Sequence, residues 1–289
     1  MLSLQMLSLQ MPSLPVSRLL GVLFVLLGLS IGPVNGQSIT PDRPGLGDGA
    51  STLEQGTLQA EMGYVFTHTS TDIEIRNANG EPIDDGVDVS THTLGQLLVR
   101  YGMTNAIEVR GGIGSIAWVE QIAESGTEFE AGYDGASLGT KIRLLQTPVA
   151  TLSGLAILSV PLGSAFSSSD DRARQEVKVA FDGALGDRIS ISVNGGASFF
   201  YDDGGDTPFT DRELEWLFIP TLSVSATDAL GLYAGYGGFY NDSLNRNVVE
   251  AGTTYRLDPN MQVDVNAGRR VDESADPSFF LGAGFAYRL

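Results

Sequence analysis

The sequence predicts an all-β chain that closes into a transmembrane, antiparallel, up-and-down β-barrel of about twelve strands. Three observations carry this. Apolar residues alternate with polar ones along many short segments, the links between segments are tight and long by turns, and the aromatic residues fall in two bands. Successive side chains of a strand point to opposite faces, so regular alternation marks a sheet whose two faces meet different solvents.

The N-terminus is set apart first. Arg18 is the lone charge before an apolar run, Leu19–Leu29, which Gly32-Pro33 breaks, and Val34-Asn35-Gly36 offers a cleavage site before Gln37. This is the pattern of a cleaved signal peptide over residues 1–36, because the apolar run is shorter than a spanning helix requires. Residues 37–55 are rich in Pro and Gly and lack periodicity; they are expected to form a periplasmic N-terminal tail that tucks into the barrel mouth. Residues 56–289 are expected to form the barrel.

The strands follow in order. Leu58, Ala60, Met62, Tyr64 and Phe66 share one face and Gln59 and Glu61 the other. Leu97, Val99 and Tyr101 oppose Arg100; Ile107, Val109 and Ile113 oppose Glu108 and Arg110; Leu138, Thr140, Ile142 and Leu144 oppose Lys141 and Arg143. A fifth segment near 149–161 is apolar on both faces. Val177, Val179 and Phe181 then oppose Glu176, Lys178 and Asp182, and Ile189, Ile191 and Val193 oppose Ser190, Ser192 and Asn194. Trp216, Phe218 and Leu222 oppose Glu215 and Thr221; Leu232, Ala234 and Tyr236 oppose mostly glycine. Val249, Ala251 and Tyr255 oppose Glu250 and Arg256; Val263 and Val265 oppose Asp264; Phe279, Leu281, Ala283, Phe285 and Tyr287 oppose Gly282, Gly284 and Arg288.

Links after the even strands are tight, as at Gly102–Asn105, Gln146–Pro148 and Thr227–Ala229, whereas the first odd link is expected to run as a long loop from Thr67 to Thr91. Such sorting of turns is the habit of bacterial outer-membrane barrels. With the tight turns on the periplasmic side, Tyr64, Phe66, Phe199, Tyr201, Trp216, Phe218, Tyr236, Tyr240 and Phe279 lie near the outer rim. Tyr101, Phe181, Tyr255, Phe285 and Tyr287 lie near the inner one. Bands of this kind suit both bilayer interfaces, since the rings are apolar bodies and several carry a polar tip. Trp118 breaks the parity of its strand, which requires a bulge or a loop there.

If lipid touches the apolar face, the other face lines the lumen. Its candidates are Glu61, Arg100, Glu108, Arg110, Lys141, Arg143, Glu176, Lys178, Asp182, Glu215, Glu250, Arg256 and Asp264. The chain has no cysteine, so neither disulfides nor thiolate metal sites are available. A formal net charge of −18 is the wrong sign for nucleic acid. No cofactor or metal site is expected. Asp202-Asp203-Gly204-Gly205-Asp206 has oxygen ligands but no following bidentate Glu, and Asp84-Asp85 and Asp170-Asp171 read as solvated loop charge.

Three motifs carry a family resemblance. Ile39-Thr40-Pro41-Asp42-Arg43-Pro44-Gly45 precedes the first strand, Tyr133-Asp134-Gly135-Ala136-Ser137-Leu138-Gly139-Thr140-Lys141-Ile142-Arg143-Leu144 forms the fourth, and Phe280–Leu289 ends the chain. These resemble the entry, the fourth strand and the last strand of the transporter-like outer-membrane barrel family named for the meta-pathway of phenol degradation. The sequence departs from that pattern in Tyr133, where the family has glycine, and in Leu289, where barrels commonly end in Phe. The resemblance implies a passive transporter or channel for small, apolar or aromatic molecules. Its partners would be outer-membrane lipid, the barrel-assembly machinery acting on the C-terminal strand, and the solute. Two alternatives stand beside it: an outer-membrane enzyme of the phospholipase type using His68 or His92, and a structural or adhesive barrel with acidic surface loops.

Overall fold

The computed structural model describes residues 39–289 except 40, 44, 77–81, 124–125, 134, 161–172, 202–211, 242–244 and 273–277. The expected signal peptide, the acidic runs at 170–171 and 202–206, and the side chains of Tyr201, Asp84 and Asp85 lie outside the described residues.

Fourteen antiparallel strand segments make one sheet. They are β1 (Leu58–Arg76), β2 (Pro82–Gly102), β3 (Ile107–Ile113), β4 (Ile116–Ala123), β5 (Gly126–Tyr133), β6 (Ala136–Gln146), β7 (Ala150–Val160) and β8 (Arg174–Ala184). The rest are β9 (Ile189–Tyr201), β10 (Arg212–Ser225), β11 (Leu230–Tyr240), β12 (Asn245–Asp258), β13 (Met261–Arg270) and β14 (Ser278–Arg288). Because β3 and β4 both pair with β2 and follow one another along it, they form a single stave, as do β5 and β6. The result is a twelve-strand barrel, closed where β1 pairs with both β14 and β2. Closure leaves no edge across the bilayer, where an unpaired backbone group would be costly.

The tight turns share a local device. Thr104, Thr147 and Thr227 each accept, at the hydroxyl, the N–H groups two and three residues ahead, which fixes the reversal without glycine. The opposite end differs from expectation. Thr67–Arg76 and Pro82–Thr91 do not form a loop; they continue β1 and β2 in register, with Thr67 opposite Thr91 and Arg76 opposite Pro82. Pairing with β14 stops at Thr69, so the hairpin outruns its neighbour there. A switch in the parity of the apolar positions hid the strand: beyond Phe66 a polar stretch, Thr67–Thr71, leads to Ile73 and Ile75, which share the parity of Ile83, Val87 and Val89 and not that of Phe66.

The irregularity demanded by Trp118 is present. The stave breaks at Gly114-Ser115 between β3 and β4, and beside it Gly95 of β2 and Gly135 before β6 both have positive φ, at 112° and 126°. The three lie abreast: the Gly114 N–H donates to the Gly135 carbonyl at 2.5 Å, and Gly95 packs against Ser115. Each break shifts the side-chain parity by one, so Ile116 and Trp118 return to the outward face.

Burial settles which solvent each face meets. Leu138 and Trp216 are 63% and 58% exposed, while Arg100, Lys141, Glu61 and Glu108 are 0% exposed. A water-soluble barrel would reverse this order. On the outward face at the long-strand end, Trp118 stacks on His92 at 5.0 Å, and Phe66 bridges His92 and Phe279. At the tight-turn end Phe285 stacks on Tyr287. Tyr101, Phe181 and Tyr255 share the outward parity at that end, as do Tyr64, Phe199, Phe218, Tyr236 and Tyr240 at the other.

Candidate functional site

The lumen is occupied by the chain itself. The described residues of 41–56, read in the sequence as part of a tail at the mouth, lie among the inward side chains and bond to strands around the wall. The anchor is Asp42. Its carboxylate accepts from Lys141 Nζ at 2.8 Å, pairs closely with Arg110, and stands 3.5 Å from Arg100 Nε. The backbone N–H groups of Asp42 and Arg43 donate to Glu61 at 3.0 and 3.1 Å. Asp48 is the second anchor, 2.7 Å from Arg110 Nη1 and in close contact with Lys178. Asn194 clasps its backbone, accepting from the Asp48 N–H at 3.1 Å and donating to the Asp48 carbonyl at 2.9 Å.

Further bonds seat the remainder. Leu46 N–H donates to Glu250 at 2.8 Å, Ala50 N–H to Asp182 at 2.7 Å, and Leu53 N–H to Glu108 at 3.0 Å. Lys141 also donates to the Gly49 carbonyl, and Ser153 to that of Ala50. Ala50 packs on Leu155 and Ala180 as a small buried apolar contact. The segment leaves at the tight-turn end, where Gly56 N–H donates to the Gly102 carbonyl at 2.8 Å. A side chain at Gly102 would overlap the Glu54 carbonyl, so this exit needs glycine. Arg43 likewise lies in the slots left by Gly63 and Gly284, beside Asp264.

Electrostatics keeps both anchors ionised. Burial pushes the Asp42 carboxyl up, but Arg100, Lys141 and Arg110 outweigh it and hold it below the usual carboxylate value. Burial acts on Asp48 in the same sense, and Lys178 and Arg110 pull it well below. The wall charges are unevenly spread. The cations Arg100, Arg110, Lys141 and Lys178 lie on β2, β3, β6 and β8, interleaved there with Glu108, Glu176 and Asp182, while the carboxylates Glu215, Glu250 and Asp264 lie on β10, β12 and β13. The segment answers this with Asp42 and Asp48 toward the basic arc and Arg43 toward the acidic one.

Of the lumen candidates, Glu61, Arg100, Glu108, Arg110, Lys141, Lys178, Asp182 and Glu250 touch the segment. Glu176 acts through Lys178, 2.7 Å away. Glu215 faces Arg246 at 3.8 Å, Arg256 reaches the Asp228 carbonyl in a turn, and Arg143 shares the face of Lys141 nearer the tight turns. Sequence reasoning missed Asn194 and Ser153, which carry no charge, and the anchors Asp42 and Asp48. The missed signal was two acids in a Pro/Gly-rich stretch opposite a wall with clustered cations. It also missed the apolar residues of inward parity Leu217, Ile219 and Phe239, at mid-wall and toward the long-strand end, whereas Leu155 and Ile157 belong to the segment read as apolar on both faces.

A cavity of about 330 Å³ remains beside the segment, lined on the wall side by Ser190, Ser192, Thr221, Ser223, Thr254 and Gln262. The two histidines lie elsewhere, on the outward face of β1 and β2. His92 Nδ1 bonds the Tyr64 hydroxyl at 2.6 Å, and His68 stands 3.2 Å from Ser90 and 3.8 Å from Asp88. Ser70 bonds Asp88 at 2.6 Å, so these groups form cross-strand polar pairs.

A closed wall with lipid-exposed apolar residues, an ionic interior and a lumen filled by its own N-terminal segment defines a transmembrane β-barrel. The chain belongs to the family described as "Putative MetA-pathway of phenol degradation", whose pattern matches residues 41–289 and so includes the inserted segment. No curated protein sequence matches it. Among solved structures it resembles the COG4313 outer membrane channel from Pseudomonas putida F1, with 15% identity, 86% of this chain and 99% of that one covered, and a TM-score of 0.59. The translocator domain of the autotransporter NalP from Neisseria meningitidis follows at 13% identity, 82% and 90% coverage and a TM-score of 0.49. At these identities the likeness concerns the fold.

Proposed function

We propose that this protein is a channel of the bacterial outer membrane through which small solutes diffuse passively, and that residues 41–56 are its stopper. The observation that carries the reading is the split of one buried ion cluster between two parts: cations fixed on the wall, and anions on a segment tied to the wall by non-covalent bonds alone until Thr57. A purely structural barrel of this size could close its interior with wall-to-wall pairs, as Arg100 does with Glu108 at 2.8 Å. Passage requires the segment to shift. The apolar inward residues Leu217, Ile219 and Phe239 favour solutes with an apolar or aromatic body, in keeping with the family's description. The tight turns face the periplasm, and the β1–β2 hairpin stands outside. The C-terminal strand, ending Tyr287-Arg288-Leu289, is the part the assembly machinery would read.

Reconstitution into planar bilayers, with solute flux into liposomes alongside, tests this. Discrete conductance steps and flux are expected, infrequent in the wild type and frequent when the anchors are neutralised by Asp42→Asn and Asp48→Asn. Absence of both conductance and flux in the wild type and the variant would overturn it.

A further inference from the structure

We propose that Arg110 and Lys141 form a binding site for the carboxylate of a small apolar acid, and that Asp42 and Asp48 hold that site as internal competitors. The inference rests on the stopper reading and adds a ligand to it. The two cations are neighbours on the inner wall, because Arg110 pairs in register with Gly139, two residues before Lys141, and Glu108 stands directly opposite Lys141. Arg110 crosses the slot that Gly139 leaves.

What singles them out is the distribution of wall carboxylates. Arg100 has its own, Glu61 at 2.9 Å and Glu108 at 2.8 Å, and Lys178 has Glu176 at 2.7 Å. Among the described residues, Asp42 is the one carboxylate within ion-pair distance of Lys141. Arg110 has Asp42 and Asp48, and beyond them Glu108 at 3.9 Å. When the segment withdraws, the nearby wall carboxylate left to these two adjacent cations is Glu108, which Arg100 already holds at 2.8 Å. An anion that enters restores the ion pairs the segment gave up, which water replaces only in part.

The seated carboxylate shows the recognition geometry. Lys141 donates to both Asp42 oxygens, at 2.8 and 2.9 Å, and Arg110 donates to one of them, a two-cation grip that suits any monocarboxylate. Next to it, Leu155 pairs in register with Lys141 and is buried against Ala50 and Ala180. With Ala50 gone, that apolar patch would take the body of the ligand. An acid that enters therefore competes with the stopper and favours the open state, while an uncharged analogue does not.

Isothermal titration in detergent, with benzoate as probe and benzamide as its neutral counterpart, decides the matter. Removing the competitors by Asp42→Asn and Asp48→Asn should tighten benzoate binding about tenfold or more, since an occupied site lowers apparent affinity by the fraction that is free. Benzamide should bind neither protein, and adding Lys141→Gln should abolish the benzoate signal. Heat-modifiable migration on gels checks that each variant is folded; Arg110→Gln serves if Lys141→Gln is not. A second readout leaves the ion cluster intact: Ser51→Cys, in a chain otherwise free of cysteine, should react several-fold faster with a maleimide in benzoate than in benzamide. Equal benzoate affinity with and without the competitors, equal binding of benzamide, or labelling indifferent to benzoate would overturn the site. Flux without benzoate binding defeats this inference and spares the channel; binding without flux does the opposite.

Discussion

Neutralising Asp42 tests the stopper most directly. Its carboxylate is 5% exposed and meets three cations, Lys141 at 2.8 Å, Arg110 in closer contact and Arg100 at 3.5 Å. It also accepts the Gly49 N–H at 3.1 Å, which folds the segment back on itself. Breaking a buried ion pair from one side costs about 3–5 kcal/mol. The lower end applies, because Lys141 and Arg110 regain water once the lumen opens, whereas in a sealed core they would not. Roughly 3 kcal/mol shifts the seated-to-withdrawn ratio by about 150-fold. A segment seated about 99 times in 100 would then be seated less than half the time. Single-channel recording of Asp42→Asn against wild type, at one voltage and salt concentration, reads this as the open fraction. Asp272→Asn, whose carboxylate is held by Asn247 and Arg270 away from the segment, is the control and should leave the trace unchanged. An Asp42→Asn channel that opens no more often than the wild type would refute the reasoning.

Three further outcomes are expected. Both anchors have carboxyls depressed in the seated state, so seating is favoured above the ordinary value near 3.8 and that advantage is lost as pH falls through the depressed range; open fraction should rise below about 3.8. Gly102→Ala should raise the open fraction while leaving heat-modifiable migration intact, because the new methyl displaces the Glu54 carbonyl and not the wall. Val179→Arg, on the lipid face of β8 at mid-strand, should cost ~2–4 kcal/mol in unfolding from lipid vesicles, and Ser190→Arg beside the lumen cavity far less. Equal penalties at the two positions would contradict the assignment of faces.

The barrel was legible wherever the two faces of a strand meet different solvents. Leu58, Ala60 and Met62 alternate with Gln59 and Glu61 because lipid lies on one side and an ionic lumen on the other. The same rule failed where that contrast vanishes. The outer parts of β1 and β2 begin with the polar stretch Thr67–Thr71 and resume their apolar positions, Ile73, Ile75, Val87 and Val89, on the parity opposite to Phe66, so they read as loop. Leu217 and Ile219 point inward against a strict apolar-outside rule because the segment and their neighbours cover them. Parity did foresee the break near Trp118, since a one-residue slip must be absorbed somewhere. The inserted segment was hidden for a different reason. Residues 41–56 have no periodicity of their own, and their shape is imposed by Glu61, Asp182, Asn194 and Glu250, which stand many residues away in the chain. A local reading cannot recover a conformation that is dictated by a distant mould.

The placement of the ionic anchors bears on the order of assembly. Asp42 and Asp48 find all their counter-charges on β2, β3, β6 and β8, and the join between β1 and β14 needs the last residues of the chain. The first half of the wall can thus gather around the N-terminal segment as a half-pipe before the ring shuts. Those charges would otherwise be buried unpaired at the moment of closure, so the segment supplies the early wall with a template, and a truncated N-terminus should slow insertion before it alters anything that passes through.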